Sequence, residues 1–187
     1  CETVQTTQPG AVGVSRQQHM AISEQEFNQG AAKSYAQLMQ QARAKGVLNR
    51  DGAQLARVRA VAGRLIPATG GFRPDALKWS WETNVLSTDE VNAWCMPGGK
   101  MAVYTGLLQK LNLTDDELAA VMGHEMAHAL REHGREQASI QMGQAAVIGI
   151  LGALAGASDA AQELGQMALE YTVNRRHSRQ DETEACL

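Results

Sequence analysis

The segment from Thr114 to about Gly134 constrains the fold most, because its residues predict the start, the length and the buried face of one helix. Thr114 and Glu117 have the spacing of a capping box, and Asp115 and Asp116 add negative charge in the first turn. Apolar residues follow at helical spacing. An amphipathic helix should therefore begin after Thr114 and continue to about Gly134.

This helix carries the pattern His124-Glu125-Met126-Ala127-His128. At about 100° per residue, the two histidines lie about 40° apart and Glu125 lies about 100° from His124, so the three side chains share one face. Two imidazoles one turn apart can bind one zinc ion, and a glutamate beside them can take a proton from water in the fourth position. The spacing predicts metal-assisted hydrolysis of peptide bonds, with His124 and His128 as ligands and Glu125 as general base.

A catalytic zinc site needs a third protein ligand. His133 lies nine residues after His124, about 180° round a continuous helix, which predicts a place on the surface or in a second layer. The better candidate lies near the end of the chain. A helix that begins at about Ser158-Asp159 and continues through this stretch would present Glu182 to the metal, giving two histidines, one glutamate and an open position for water.

The residues before this helix predict two further helices and then a small sheet. Ser23 begins a helix to about Lys45, and Asp51 begins a second helix that should end near Leu65, before the proline two residues later. Residues 77–81 alternate as in a strand, which places their two tryptophans on one face.

Two further β-prone runs complete the predicted sheet. Val91 to Met96 and Met101 to Tyr104 are joined by the turn Pro97-Gly98-Gly99. The sequence predicts a helix-rich α+β fold with a small antiparallel sheet beside the helix that carries the histidines.

The composition limits the partners and the number of domains. Apolar residues make up 44% of the chain, enough for the core of one domain over residues 21–187. The net charge of −3 arises from 17 basic and 20 acidic residues spread along the chain, which excludes nucleic acid as the main partner. Residues 145–157 form an apolar run of 13, short of the roughly 20 that span a bilayer, and predict a buried or site-covering helix.

The first 20 residues predict a flexible tether that is rich in Thr, Gln, Gly, Val and Ser. Cys1 is the residue type that a bacterial lipoprotein keeps at its mature N-terminus to carry the lipid. Lipidation would anchor the protein to a membrane and place it in an exported compartment. The alternative is that Cys1 marks an arbitrary boundary.

Four segments resemble the signatures of the HtpX and CAAX-prenyl endopeptidase family of zinc metallopeptidases, and its bacterial periplasmic lipoprotein members in particular. In chain order they are Asn92-Ala93-Trp94-Cys95-Met96-Pro97-Gly98-Gly99, Tyr104-Thr105-Gly106-Leu107-Leu108, His124-Glu125-Met126-Ala127-His128, and Ser178-Arg179 with Glu182.

The resemblance implies a zincin-like fold of the gluzincin type, one Zn²⁺ per chain, and cleavage of misfolded or misassembled envelope proteins in the periplasm, with a lipid anchor in the outer membrane. It also implies that His124, His128 and Glu182 bind the metal and that Glu125 is the general base. The strand with Asn92, Ala93 and Trp94 would receive the substrate backbone by strand addition.

One residue departs from the pattern of the resembled family. That family has an Asp four residues after the ligand Glu and continues further, whereas this chain has Cys186 there and Leu187 follows. The Asp orients a ligand histidine, and loss of such a partner typically costs about 10- to 100-fold in metal affinity or activity. Cys186 indicates a truncated or altered end, a thiolate near zinc, or a disulfide with Cys95.

Cys186 also keeps a second function open, that of a catalytically weak relative that binds unfolded chains or an assembly partner along the edge strand. His177 and Tyr104 are candidates for stabilising the oxyanion.

Overall fold

The computed structural model describes residues 2–8, 16–147, 157–174 and 179–186, and its elements within these ranges follow in chain order. They are β1 (Glu2–Val4), β2 (Gln18–Met20), α1 (Glu24–Ala44), α2 (Gly52–Thr69), a 3₁₀ helix (Pro74–Lys78), β3 (Glu82–Leu86), β4 (Ala93–Met96), β5 (Lys100–Tyr104), α3 (Thr105–Lys110), α4 (Asp115–Leu130), α5 (His133–Val147), α6 (Ala157–Leu169), a π-helical turn (Glu170–Asn174) and α7 (Arg179–Cys186).

The caps of three helices confirm the starts that the sequence predicts. Ser23, Asp51 and Thr114 each have extended backbone and accept hydrogen bonds from amides in the first turn of α1, α2 and α4. The end predicted for α2 is wrong, because the helix continues past Pro67 to Thr69. A proline so close to the end of a helix removes only one internal hydrogen bond, so the last turn still forms.

The main sheet is mixed, with the strand order β3-β5-β4. The predicted hairpin is confirmed, because β4 pairs antiparallel with β5 around Gly98 and Gly99, which have φ angles of +84° and +90°. The prediction of a purely antiparallel sheet is wrong, because β3 pairs with β5 in parallel.

The strand predicted over residues 77–81 is also wrong, because Pro74 begins a 3₁₀ helix and β3 starts only at Glu82. The indoles of Trp79 and Trp81 instead stack with centroids 5.5 Å apart.

Alternate residues of the sheet pack against different layers of helices. Met101 and Val103 of β5 belong to a cluster with α2 and α4, whereas Ala102 and Tyr104 belong to a cluster with α1 and α6. A sheet covered on both faces can be apolar throughout, which explains why β4 is fully buried. The fold is α+β and helix-rich, and α4 lies directly against β4, the edge strand that begins at Ala93.

The single terminal helix predicted from residues 158–159 onward is wrong. α6 ends at Leu169, and the π-helical turn Glu170–Asn174 follows before α7. Of the apolar run at 145–157, residues 148–156 lie outside the described residues. Among the helices of the described ranges, none has both the length and the hydropathy required to cross a membrane.

Residues 16–20, which we call the N-terminal segment, pack against the domain. β2 in this segment pairs antiparallel with β1, and Met20 is 2% exposed. Gln18 is buried and its amide donates to the carbonyl of Arg131 at 2.8 Å and to Glu136 at 2.8 Å. The structure thus differs here from the predicted tether, because polar side chains in this segment find buried partners that an apolar pattern does not reveal.

Gly106 at the start of α3 allows the loop before β4 to lie close to the helix. A Cβ atom at this position would overlap with the backbone oxygens of Asp89 and Glu90. We expect Gly106→Ala to lower the free energy of unfolding by about 1–3 kcal/mol, as overpacking typically does. Urea denaturation followed by circular dichroism measures this change.

Gly63 is the matched control for this substitution. It lies on the exposed side of α2, where a Cβ atom meets nothing within 4 Å. Gly63→Ala should therefore raise the free energy of unfolding by about 0.5–1 kcal/mol, because alanine is the better helix former. Equal effects of the two substitutions would contradict the packing described for Gly106.

Candidate metal centre and active site

The donor atoms of His124, His128 and Glu182 converge where α7 lies beside α4. The two Nε2 atoms are 3.1 Å apart, and the Glu182 carboxylate lies 2.9 Å from His124 Nε2 and 3.4 Å from His128 Nε2. Ligands bound to tetrahedral zinc at their usual distances are roughly 3.3 Å from one another. The structure therefore brings together the three predicted ligands, and their number, chemistry and spacing fit a zinc ion.

Glu125 is half-buried on α4, next to this group. Burial raises the pKa of its carboxyl group to about 8, and the negative charge of Glu182 adds to the effect. A cation held by the neighbouring donors would favour the ionised form of Glu125. With the cation in place, the residue has the charge that a general base requires.

Cys95 lies in β4 close to Glu125 and remains a neutral thiol. Burial raises its pKa, and the charge of Glu125 raises it further. Cys95 and Cys186 are both free cysteines, so the structure does not contain the disulfide that the sequence left open.

The continuous helix predicted from Thr114 to Gly134 is wrong, and the break changes the position of His133. α4 ends at Leu130, Glu132 adopts a φ of +54°, and α5 begins at His133. His133 is fully buried, and its Nδ1 lies 2.8 Å from the Nδ1 of His128. A surface position for His133 is therefore excluded, and its predicted position in a second layer, behind the predicted ligand His128, is confirmed.

The hydrogen bonds of His133 define a consistent set of protonation sites. If His128 keeps the lone pair of Nε2 for a metal, its proton is on Nδ1 and is donated to His133 Nδ1. His133 then carries its own proton on Nε2, which lies 3.0 Å from the Glu184 carboxylate. The chain from His128 through His133 to Glu184 thus fixes the orientation of one ligand.

Two arginines hold the turn that brings His133 to this position. The Glu132 carboxylate lies 3.1 Å from Arg135 and 3.3 Å from Arg73, which also donates to the carbonyl of Leu130 at 3.0 Å. Burial raises the pKa of Glu132, while the charges of Arg73 and Arg135 oppose the shift. The strained turn is therefore supported by buried ionic contacts.

Cys186 lies beside the other ligand histidine. It is one turn after Glu182 on α7, and its Sγ is 3.4 Å from the Nδ1 of His124. This nitrogen is on the opposite side of the ring from the Nε2 that faces Glu182. The sulfur is thus placed to contact the His124 ring on the side away from the nitrogen that is predicted to bind the metal.

A second group of buried charged residues lies behind the metal centre, and the sequence interpretation missed it. Glu136, Asp181 and Glu184 surround the guanidinium of Arg16. The spacing of Asp181 and Glu184 puts two acids on one helix face, which is the only local signal of this group. Arg16 carries no such signal, because Glu136 and Glu184 follow it by 120 and 168 positions.

The predicted substrate residues lie at the edge strand. Ala93 and Trp94 belong to β4, and Asn92 precedes it and is partly exposed. The Trp94 indole donates to the Tyr104 hydroxyl at 2.8 Å inside the core, so only the main chain of Trp94 is suited to meet a substrate. Two residues were candidates for stabilising the oxyanion. The Tyr104 hydroxyl is already engaged in this core contact, and His177 lies outside the described residues.

Comparison with known proteins identifies relatives of this chain. The model of peptidase family M48 matches residues 53–185, a range that contains His124, Glu125, His128 and Glu182. The chain is 35% identical over 108 residues to the metalloprotease LoiP of Escherichia coli. This alignment covers 54% of this chain and 40% of LoiP. It is 32% identical over 105 residues to the metalloprotease YcaL of the same species, and this alignment covers 54% of this chain and 39% of YcaL.

A mitochondrial relative has a higher sequence identity over a shorter range. The mitochondrial metalloendopeptidase OMA1 of Arabidopsis thaliana is 47% identical over 57 residues, or 30% of this chain and 12% of that protein. All three alignments cover less than half of the relative's length. The family model, in contrast, matches most of this chain and includes the whole candidate metal centre, which confirms the family indicated by the motifs. The chain belongs to peptidase family M48.

Proposed function

We propose that the chain is a zinc-dependent endopeptidase with a zincin-like active site. The observation that carries this proposal is the convergence of His124 Nε2, His128 Nε2 and the Glu182 carboxylate, with Glu125 adjacent on α4. Two histidines and one glutamate leave a position open for water, as catalytic zinc sites require. The relatives named metalloprotease and metalloendopeptidase support the same reaction class.

Each residue of the site has a distinct task in this reaction. When bound, the zinc ion supplies a Lewis acid that activates water and polarises the scissile carbonyl. His124, His128 and Glu182 hold the ion. Glu125 accepts the proton of the attacking water and later gives it to the leaving amine.

The edge strand β4 is the proposed docking element for the substrate. It lies at the end of the strand order and against α4, which carries the catalytic residues. An extended peptide that pairs with this edge makes main-chain hydrogen bonds, which tolerate many side chains. Unfolded or misassembled envelope proteins expose such extended backbone and are the proposed substrates.

The location and the anchor remain predictions from the sequence. We propose a periplasmic protein held at the outer membrane by a lipid on Cys1, a residue that lies outside the described ranges. The mass of the N-terminal peptide from the full-length precursor checks this, because an acyl chain adds a defined mass. A peptide without acyl chains would contradict it.

A catalytically weak binding protein is the second candidate. Cys186 favours it, because a thiol 3.4 Å from His124 Nδ1 replaces the carboxylate that the resembled family has at this position. Such a protein would bind unfolded chains along β4 without cleaving them.

Zinc content and cleavage measured on the same preparation distinguish the two candidates. For an endopeptidase, we expect close to one zinc per chain and cleavage of casein that stops after chelation and returns with added zinc. Cleavage of casein that continues after treatment with a chelator would contradict the metal mechanism. Stoichiometric zinc and casein binding without cleavage would support the binding protein.

A further inference from the structure

Helix α7 delivers one metal ligand but has few apolar contacts of its own. It comprises only eight residues. Ala185 is buried and aliphatic, whereas Cys186 is exposed. A helix of this length is unstable in isolation, so its formation depends on contacts with the rest of the protein. Because α7 is mainly polar, its position must depend largely on hydrogen bonds and ion pairs.

Arg16 of the N-terminal segment supplies such contacts. Its guanidinium forms two hydrogen bonds with Glu136 of α5, at 2.5 and 2.8 Å, and its Nε donates to Glu184 of α7 at 2.5 Å. Asp181 of α7 lies 3.7 Å from the same guanidinium. The three carboxylates are buried, so Arg16 joins α7 to α5 through contacts that solvent screens weakly.

The contacts of Arg16 reach the metal centre by two routes. Glu182 lies between Asp181 and Glu184 in the same helix, so α7 carries the ligand to the position that Arg16 sets. Glu184 also accepts a hydrogen bond from His133, whose other nitrogen lies 2.8 Å from His128 Nδ1. One arginine is therefore connected to two of the three ligands without touching either.

We propose that Arg16 is a positioning residue for the metal centre, which holds Glu182 and His128 in their ligand geometry through α7 and Glu184. The inference rests on the proposed function, because it requires zinc at His124, His128 and Glu182. It gives the N-terminal segment a part in the active site that is separate from membrane attachment.

Zinc affinity of the full chain tests this inference without relying on activity. We expect Arg16→Ala to weaken zinc binding about 10- to 100-fold in competition with a chromophoric chelator, the usual effect of losing a group that supports a ligand. The visible spectrum of the cobalt-substituted protein should change as well, because the spectrum reports ligand geometry. Arg43→Ala on the exposed end of α1 is the matched control and should leave both unchanged.

A conservative variant and a double mutant separate positioning from general stability. Arg16→Lys keeps the charge but cannot form the paired hydrogen bonds, so its zinc affinity should lie between those of wild type and Arg16→Ala. Glu184→Gln should also weaken zinc binding. Adding Arg16→Ala to Glu184→Gln should cost less than the sum of the two single effects, because each single variant already weakens the shared contact between Arg16 and Glu184.

The outcomes for the two proposals can be told apart. A wild-type chain that binds no zinc overturns the proposed function and this inference with it. A wild-type chain that binds zinc, together with Arg16→Ala of equal zinc affinity and an unchanged cobalt spectrum, overturns only the inference. If Arg16→Ala lacks the native circular dichroism spectrum, the comparison of Arg16→Lys with wild type decides, and equal zinc affinity of these two proteins overturns the inference.

Discussion

Glu125→Gln should retain zinc and lose cleavage by a factor of about 10² to 10⁴, the usual contribution of a general acid or base. The amide has nearly the same shape as the carboxylate but cannot accept a proton from water. The proposed metal ligands His124, His128 and Glu182 are unchanged by this substitution. Zinc content and the rate of casein cleavage, measured on the same preparation, give the two quantities needed.

Asp116→Asn provides the control on the same helix. Asp116 is exposed in the first turn of α4, where the loss of one charge should leave cleavage close to wild type. An active Glu125→Gln variant, or one that loses its zinc, would contradict the role assigned to Glu125.

Cys186→Asp is expected to tighten zinc binding by about 10- to 100-fold and to raise turnover. The Sγ atom of Cys186 is 3.4 Å from His124 Nδ1, so a carboxylate at this position can accept a hydrogen bond from that nitrogen. A charge-assisted hydrogen bond is stronger than the contact with a thiol and fixes the ring more firmly. Chelator competition and the cleavage assay measure the two effects.

Cys186→Ser distinguishes this explanation from direct binding of the thiolate to zinc. A thiolate bound to zinc would fill the position needed by water, so both Cys186→Asp and Cys186→Ser would loosen zinc and raise turnover. If Cys186 only contacts the ring of His124, serine should change zinc affinity little. No effect of aspartate on either quantity would contradict the described position of Cys186.

The residues of the proposed active site that lie on α4 could be predicted because they follow local rules. His124, Glu125 and His128 are set by the period of one helix, and a capping box at Thr114 marks where that helix begins. Glu182 follows His124 by 58 positions, so no local rule links the two residues; a predicted terminal helix made Glu182 a candidate, and the resemblance to a family implied its role as a ligand. The longer helix predicted to carry Glu182 is interrupted by a π-helical turn before α7, for which the sequence gives no signal.

The supporting residues could not be predicted, because their positions depend on irregular backbone or on distant partners. His133 reaches His128 only because Glu132 adopts a positive φ, which ends α4 earlier than its periodic pattern suggests. Arg73 contacts Glu132 in this turn but lies far from it in the sequence, so it leaves no periodic signal. The direction of β3 also could not be predicted from the sequence, because parallel pairing with β5 depends on which strands become neighbours.

The contact between Arg16 and Glu184 has a consequence for biosynthesis. It closes a loop of 168 positions, and the entropy lost on closing a loop increases with its length. The histidines on α4 can be in place while translation continues, but Glu182 joins them only after nearly all of these residues have been synthesised. A chain that has been synthesised only as far as α4 therefore contains two of the three proposed metal ligands and lacks the carboxylate that completes the group.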